Sequence, residues 1–299
     1  MDILTIRGLE KSFGEKKVLR GVELSVPAGS VFGFVGKNGA GKTTTMKAIL
    51  GLLKPDGGEI TVAGEPVCFG QTPTNRHVGY LPDVPAFYPF MTAKEYLRLC
   101  GESMGMRHAE IEERTRELLA LVGLDAEKHR IKGYSRGMKQ RLGIASALLA
   151  RPKLLICDEP TSALDPIGRK EILDILSSVR EQTTVLFSTH ILSDVERICT
   201  RVALLDDGVI AMQGSVGELK SHCHAGGFTV AVVNVEDAAR IEASFVNATR
   251  TDANTLSLTG GDEEQFALLA FLSQNHIPIM SVSRMEPSLE ALFVEVVSK

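Results

Sequence analysis

Apolar and polar positions change their period several times along the chain, and the changes outline its elements. Ile3–Ile6 and Leu19–Val26 alternate as half-buried strands do, with a turn at Pro27-Ala28-Gly29. Val31-Phe32-Gly33-Phe34-Val35 is apolar throughout, as befits a strand covered on both faces. A glycine-rich loop follows, then a helix from about Lys42 to Leu50, and another strand at Glu59–Val62. The middle of the chain turns to a helical period. Ile111, Leu118, Leu119 and Val122 share one face opposite a charged one, and Gly123 stops the run. A further helix runs from near Ser135 to before Pro152. Leu154–Cys157, Thr184–Phe187 and Arg201–Leu205 are buried-strand candidates, the last closed by Asp206-Asp207-Gly208. Strands alternating with helices predict a mainly parallel α/β sheet.

The composition shifts across Gly214–Gly227. Beyond it, strands are expected at Phe228–Val233, Phe245–Thr249, Thr255–Thr259 and Pro278–Ser283. Helices are expected at Val235–Ser244, Glu263–Gln274 and Ser288–Val297. The expectation is therefore two domains: residues 1–220, with a helical part over about 84–150, and a small α+β domain over 221–299.

Composition narrows the classes. Hydrophobic residues at 44% and charged residues at 23% are ordinary for a globular chain. A net charge of -4 gives no basic field for nucleic acid, and no nucleic-acid partner is expected. The five cysteines form no Cys-x-x-Cys pair, which speaks against a disulfide framework or zinc site and for a reducing, cytoplasmic setting. His222-Cys223-His224 is expected to be a solvated linker rather than a metal site. The N-terminus lacks the features of a signal peptide, and no run of apolar residues is long enough to span a bilayer.

The strongest chemical signal is Gly36-Lys37-Asn38-Gly39-Ala40-Gly41-Lys42-Thr43, which fits G-x-x-x-x-G-K-[ST] between a strand and a helix. Glycines let backbone amides turn onto phosphate oxygens, Lys42 reaches the β- and γ-phosphates, and the Thr43 hydroxyl is placed for Mg2+. Thr44 continues the helix start, whose positive end faces the anion. Leu154–Cys157 ends in Asp158-Glu159. Neighbouring strand residues point alternately, so the two carboxylates take different roles: Asp158 for Mg2+, Glu159 to orient or deprotonate the attacking water.

Together these residues resemble the ATP-binding cassette (ABC) ATPases over about residues 1–220. Tyr134-Ser135-Arg136-Gly137-Met138 resembles the family signature, Ser162-Ala163-Leu164-Asp165 its D-loop, and Ser188-Thr189-His190 its switch-histidine loop. Phe13 stands where the family stacks an aromatic on adenine, with Val18 packed nearby. The resemblance implies a P-loop cassette with a parallel core sheet, an antiparallel β subdomain and a helical subdomain. It implies Mg2+-dependent ATP hydrolysis, with Glu159, His190 and Lys42 catalytic. ATP would be bound by Phe13, Val18, Gly36, Asn38, Gly39, Ala40, Gly41, Lys42, Thr43 and Thr44. A second cassette, identical or not, would meet that ATP through Ser135, Gly137 and Asp165.

Two segments depart from the family. Arg136 and Met138 stand where Gly and Gln are usual, and Asp83 stands where a Gln is usual; Asp83 either ligates Mg2+, directly or through water, or is a plain loop residue. Val84–Met91 is expected to form the groove that receives a membrane permease, with packing on its own helices as the alternative. The ending Glu286-Pro287-Ser288-Leu289-Glu290-Ala291-Leu292-Phe293 is similar to that of cassette subunits paired with separate export permeases. Leu289, Leu292, Phe293 and Val296 form one apolar face there. The resemblance thus implies a cytoplasmic subunit held at the inner membrane face by a separate integral membrane permease, driving export. A soluble cassette acting on DNA or ribosomes is the competing class.

Overall fold

A computed structural model describes residues 1–70, 73–221, 227–285, 289–290 and 292–293. The chain divides into two compact units, Met1–Val216 and Gly217–Lys299.

The first unit opens with a long hairpin, β1 (Asp2–Phe13) and β2 (Lys16–Pro27). Then come β3 (Val31–Val35), α1 (Lys42–Ile49), β4 (Gly57–Val62), the short β5 (Glu65–Pro66) and β6 (Val78–Leu81). Three helices follow: α2 (Ala93–Ser103), α3 (His108–Leu121) and α4 (Arg136–Leu148). The remainder is β7 (Leu154–Cys157), α5 (Pro166–Ser178), β8 (Thr184–Thr189), α6 (Leu192–Ile198), β9 (Arg201–Asp206) and β10 (Val209–Ser215); α7 (Val216–Ser221) begins at the unit's last residue.

Two sheets result. Strands β2-β1-β4-β5 pair antiparallel in that order. The second sheet runs β10-β9-β3-β8-β7-β6; its last five strands are parallel, and β10 is antiparallel to β9. Strands β3, β7 and β8 are buried at every position, which is why their sequences are apolar without alternation. The apolar faces of β1, β2 and β4 share one core with α1 and the central strands, through residues such as Leu4, Leu24, Phe32, Met46, Ile60 and Leu186.

Capping fixes the helix starts. Thr92 and Glu95 form a capping box on α2. Ser135 Oγ accepts the Met138 N–H at the head of α4, as its sequence position suggests. Asp165 Oδ1 accepts from Gly168 N at the head of α5, with Pro166 in the first turn.

The second unit contains β11 (Gly227–Val232), α8 (Val235–Ser244), β12 (Ala248–Asp252), β13 (Thr255–Thr259), α9 (Asp262–Gln274) and β14 (Ile279–Met285). Its antiparallel sheet has the order β12-β13-β11-β14. Phe228, Val230, Ile241, Leu256, Leu258, Leu268 and Leu272 form its own core. The strand expected at Phe245–Thr249 begins only at Ala248. Phe245 instead closes α8, its N–H donating to Ile241 O, and meets Phe271 edge-on at 5.4 Å. The expected Ser288–Val297 helix and His222-Cys223-His224 fall largely or wholly outside the described residues; within the former, Leu289 and Leu292 are buried.

Candidate functional site

Parallel strands end level with one another, and the loops leaving their carboxyl ends share one edge of the sheet. Leu81 pairs with Cys157, Cys157 with Phe187, and Val35 with Thr189. Four chemically distinct segments thereby arrive together: the glycine loop after β3, Asp83 after β6, Asp158-Glu159 after β7 and His190 after β8. This is the edge at which open α/β sheets bind ligands.

The glycine loop is shaped by contacts that only glycine allows. A Cβ on Gly36 would lie 2.5 Å from Leu205 O. At Gly41 a Cβ would meet Leu19 Cδ2 at 2.6 Å, and φ is 112°. With the chain so bent, α1 opens at Lys42, and Lys42, Thr43 and Thr44 of its first turn line the cavity, at the helix end that favours an anion. Asn38, Gly39, Gly41, Lys42, Thr43, Thr44, Asp83, Asp158 and Glu159 line a cleft of about 260 Å³. It is not the largest cavity; one of about 560 Å³ lies among Arg114, Leu148, Pro152 and Val179. Chemistry rather than volume singles out the smaller one.

Lys42 is almost fully buried. Its Nζ donates to Gly36 O at 2.7 Å and to Lys37 O at 3.3 Å, and stands 3.1 Å from Glu159 Oε1. That last approach lacks hydrogen-bond alignment, and Oε1 is buried without a hydrogen-bond partner among the described residues. Glu159 Oε2 lies 2.9 Å from His190 Nδ1. An ionised carboxylate only accepts, so Nδ1 carries the hydrogen in this contact. Asp158, 3% exposed, accepts from Thr43 Oγ1 at 2.7 Å and from Ser188 Oγ at 2.6 Å. Ser188 Oγ in turn accepts the Glu159 N–H at 2.9 Å. Glu159 itself has φ of 47°, a conformation non-glycine residues rarely adopt.

These residues fit a magnesium nucleotide. Thr43 and Asp158 bring hard oxygen donors together at one point, and no cluster of three or more His, Cys, Asp or Glu suited to a metal occurs among the described residues. Magnesium prefers such a setting, with one or two protein oxygens completed by phosphates and water. Glu159 lines the same cleft, its Oε1 beside Lys42 Nζ and without a hydrogen-bond donor among the described residues. Asp83 lines the cleft as well. Burial raises its carboxyl above the ordinary range; Arg136 lowers it, and Asp158 and Glu159 raise it.

Other expected residues lie outside the cleft. Phe13 ends β1 half exposed, with Lys11 Nζ 5.5 Å from its ring centroid. Val18 packs on the main core. Ser135 and Asp165 are exposed and already engaged as helix caps. A Cβ on Gly137 would lie 4.0 Å from Leu164 Cδ2, so signature and D-loop adjoin within one chain. Tyr134 is buried, its ring edge-on to His129 at 5.9 Å. Sequence reasoning gave no part to the Ser188 hydroxyl, which bridges both carboxylate residues. Nor did it find Asp194, fully buried, which accepts from Thr161 Oγ1 at 2.8 Å and Arg169 Nε at 2.5 Å.

Comparison with known proteins agrees with the geometry. Residues 19–162 match the family model described as ABC transporter. YxlF of Bacillus subtilis, an uncharacterized ABC transporter ATP-binding protein, is 42% identical over 82% of either chain. The linearmycin resistance ATP-binding protein LnrL of the same organism is 33% identical over 99% of both chains. A solved ATP-binding subunit of an ABC transporter superposes with a TM-score of 0.64 at 33% identity, over 73% of this chain and 92% of that one. The chain belongs to the ABC transporter ATP-binding subunits, nucleotide-binding cassettes that hydrolyse ATP and work with membrane permease components.

Proposed function

We propose that this subunit drives export through a separate membrane permease, held by it at the inner membrane face and paired with a second cassette, identical or different. The observation that carries the reading is one constellation: Glu159 between Lys42 Nζ and His190 Nδ1, at the edge of the phosphate cleft. The loop amides from Asn38 to Thr44 and the Lys42 ammonium bind the phosphates of ATP. Thr43 and Asp158, with Asp83 beside them, would hold Mg2+, which when bound would supply positive charge against the transferring phosphoryl group. Glu159 orients the attacking water and accepts its proton. His190 holds that carboxylate in line and reaches the γ-phosphate. Phe13 and Val18 receive the adenine.

In the same reading Ser135, Gly137 and Asp165 face the nucleotide of the second cassette, the amides at the head of α4 supplying the positive end. Val84, Tyr88 and Phe90, all largely exposed, offer an apolar surface to the permease. No helix among the described residues is long and apolar enough to cross a membrane. The direction, export, follows the resistance named for LnrL.

Phosphate release and nucleotide binding test the assignment together. Glu159→Gln removes the proton acceptor and keeps the shape, so turnover should fall by about a hundredfold or more while ATP affinity is retained. Turnover near wild type would overturn the role of Glu159.

A further inference from the structure

Among the described residues, the phosphate cleft carries three carboxylates, Asp83, Asp158 and Glu159, and a single cation, Lys42. Two of the carboxylates are held by partners beside it. Asp158 accepts from Thr43 and Ser188, and Glu159 faces Lys42 and His190. Asp83 belongs to neither group. Its Oδ1 is buried and accepts no hydrogen bond among the described residues, and its ion pair is with a cation outside the cleft lining: Arg136 Nη2, 3.6 Å away.

Arg136 occupies the first position of α4, where the aligned peptide dipoles disfavour a cation. Its ion pair among the described residues is the one to Asp83. The same helix holds the Asp83 segment a second time: Gln140, fully buried, donates from Nε2 to Asp83 O at 2.8 Å. The first turns of α4 thus hold the Asp83 backbone by a hydrogen bond and set a cation beside its side chain. A third negative group in a cleft built for phosphates repels them unless its charge is met locally.

We propose that Arg136 is the built-in counter-charge of Asp83, allowing a third carboxylate to stand in the phosphate cleft without expelling a polyanion. The inference rests on the ATP-binding reading above. It makes the two residues interdependent: each is tolerable because the other is present.

A double-mutant cycle on the full-length chain tests this. The probe is a fluorescent ATP analogue, titrated at low ionic strength with EDTA present, so that Mg2+ and hydrolysis play no part. Four proteins are compared: wild type, Arg136→Gly, Asp83→Asn and the double variant. Arg136→Gly alone should raise the dissociation constant about three- to fivefold, the scale of one partly exposed charge pair, and high salt should shrink that loss. In the Asp83→Asn background the same replacement should shift it by less than about twofold, because there is no charge left to compensate. Arg136→Lys, which keeps the charge, should stay close to wild type. An equal loss in both backgrounds would mean that Arg136 acts on phosphate or on the helix itself, and would overturn the pairing. No loss in either background, or a loss in Arg136→Lys as large as in Arg136→Gly, would overturn it too. A wild-type chain that fails to bind the analogue would refute the ATP-binding reading instead, a result distinct from all of these.

Discussion

Glu159 shows what a single residue gives up for its task. Its φ of 47° costs on the order of 1–3 kcal/mol for a non-glycine residue. The conformation is held by one buried hydroxyl: Ser188 Oγ accepts the Glu159 N–H and donates to Asp158 Oδ1. Ser188→Ala removes both contacts and leaves a buried carboxylate oxygen and a backbone amide without that partner. The fold should lose about 1–3 kcal/mol, read as a lowered unfolding midpoint. Turnover should fall further than ATP affinity, because the hydroxyl positions Glu159 and touches no phosphate. A variant with normal turnover would show that Glu159 keeps its orientation by other means. Glu159 and Asp158 were legible from a strand ending in two acids. The hydroxyl was visible only as part of Ser188-Thr189-His190, because what it bridges lies across a strand pairing that local sequence does not display.

Between elements, the buried Asp194 ties together what the site holds apart. It lies on α6, which follows His190, and receives hydrogen bonds from Thr161, beyond Glu159, and from Arg169 on α5. Ser193 adds a second contact to Arg169. The loops that carry Glu159 and His190 are therefore braced against each other a few residues downstream of each. Asp194→Asn keeps the shape and loses the charge facing Arg169; about 2 kcal/mol of stability should go. Steady-state kinetics should show kcat falling with the KM for ATP little changed, since no phosphate contact is touched. A change in KM alone would assign Asp194 to binding instead. Nothing in Leu192-Ser193-Asp194-Val195-Glu196-Arg197 separates this acid from an exposed helix face, because its burial is created by α5. The same limit explains the other differences. Strands buried on both faces announce themselves as apolar runs, and β3, β7 and β8 lie where such runs do. Helix α5, largely polar in its first turns, and the edge strand β10 carry no such mark. Phe245 reads as a strand start until the Phe271 ring claims it for the core.

At the scale of the molecule, every residue of the phosphate cleft belongs to the unit Met1–Val216, while the second unit closes a core of its own. The residues this chain offers to a nucleotide thus lie in one part of it, and in the reading proposed here coupling to transport uses surface they leave free. Val84, Tyr88 and Phe90 provide it directly after Asp83, so a protein seated there would touch the loop that lines the cleft. Large exposed apolar side chains so close together are better explained by a partner than by solvent. The expected outcome follows for tagged Glu159→Gln protein purified from gently solubilised native membranes with ATP present. A polytopic membrane protein should co-purify and be identified by mass spectrometry. Adding Tyr88→Asp and Phe90→Asp should abolish that recovery, because burying either carboxylate in an apolar interface is costly. ATP affinity should hardly move, since exposed substitutions away from the cleft usually shift stability by no more than about 0.5 kcal/mol. Recovery of ribosomal or DNA-repair proteins with no membrane partner would move this chain to the soluble cassette machines. Recovery of the permease by the doubly charged variant would move its docking site away from this loop.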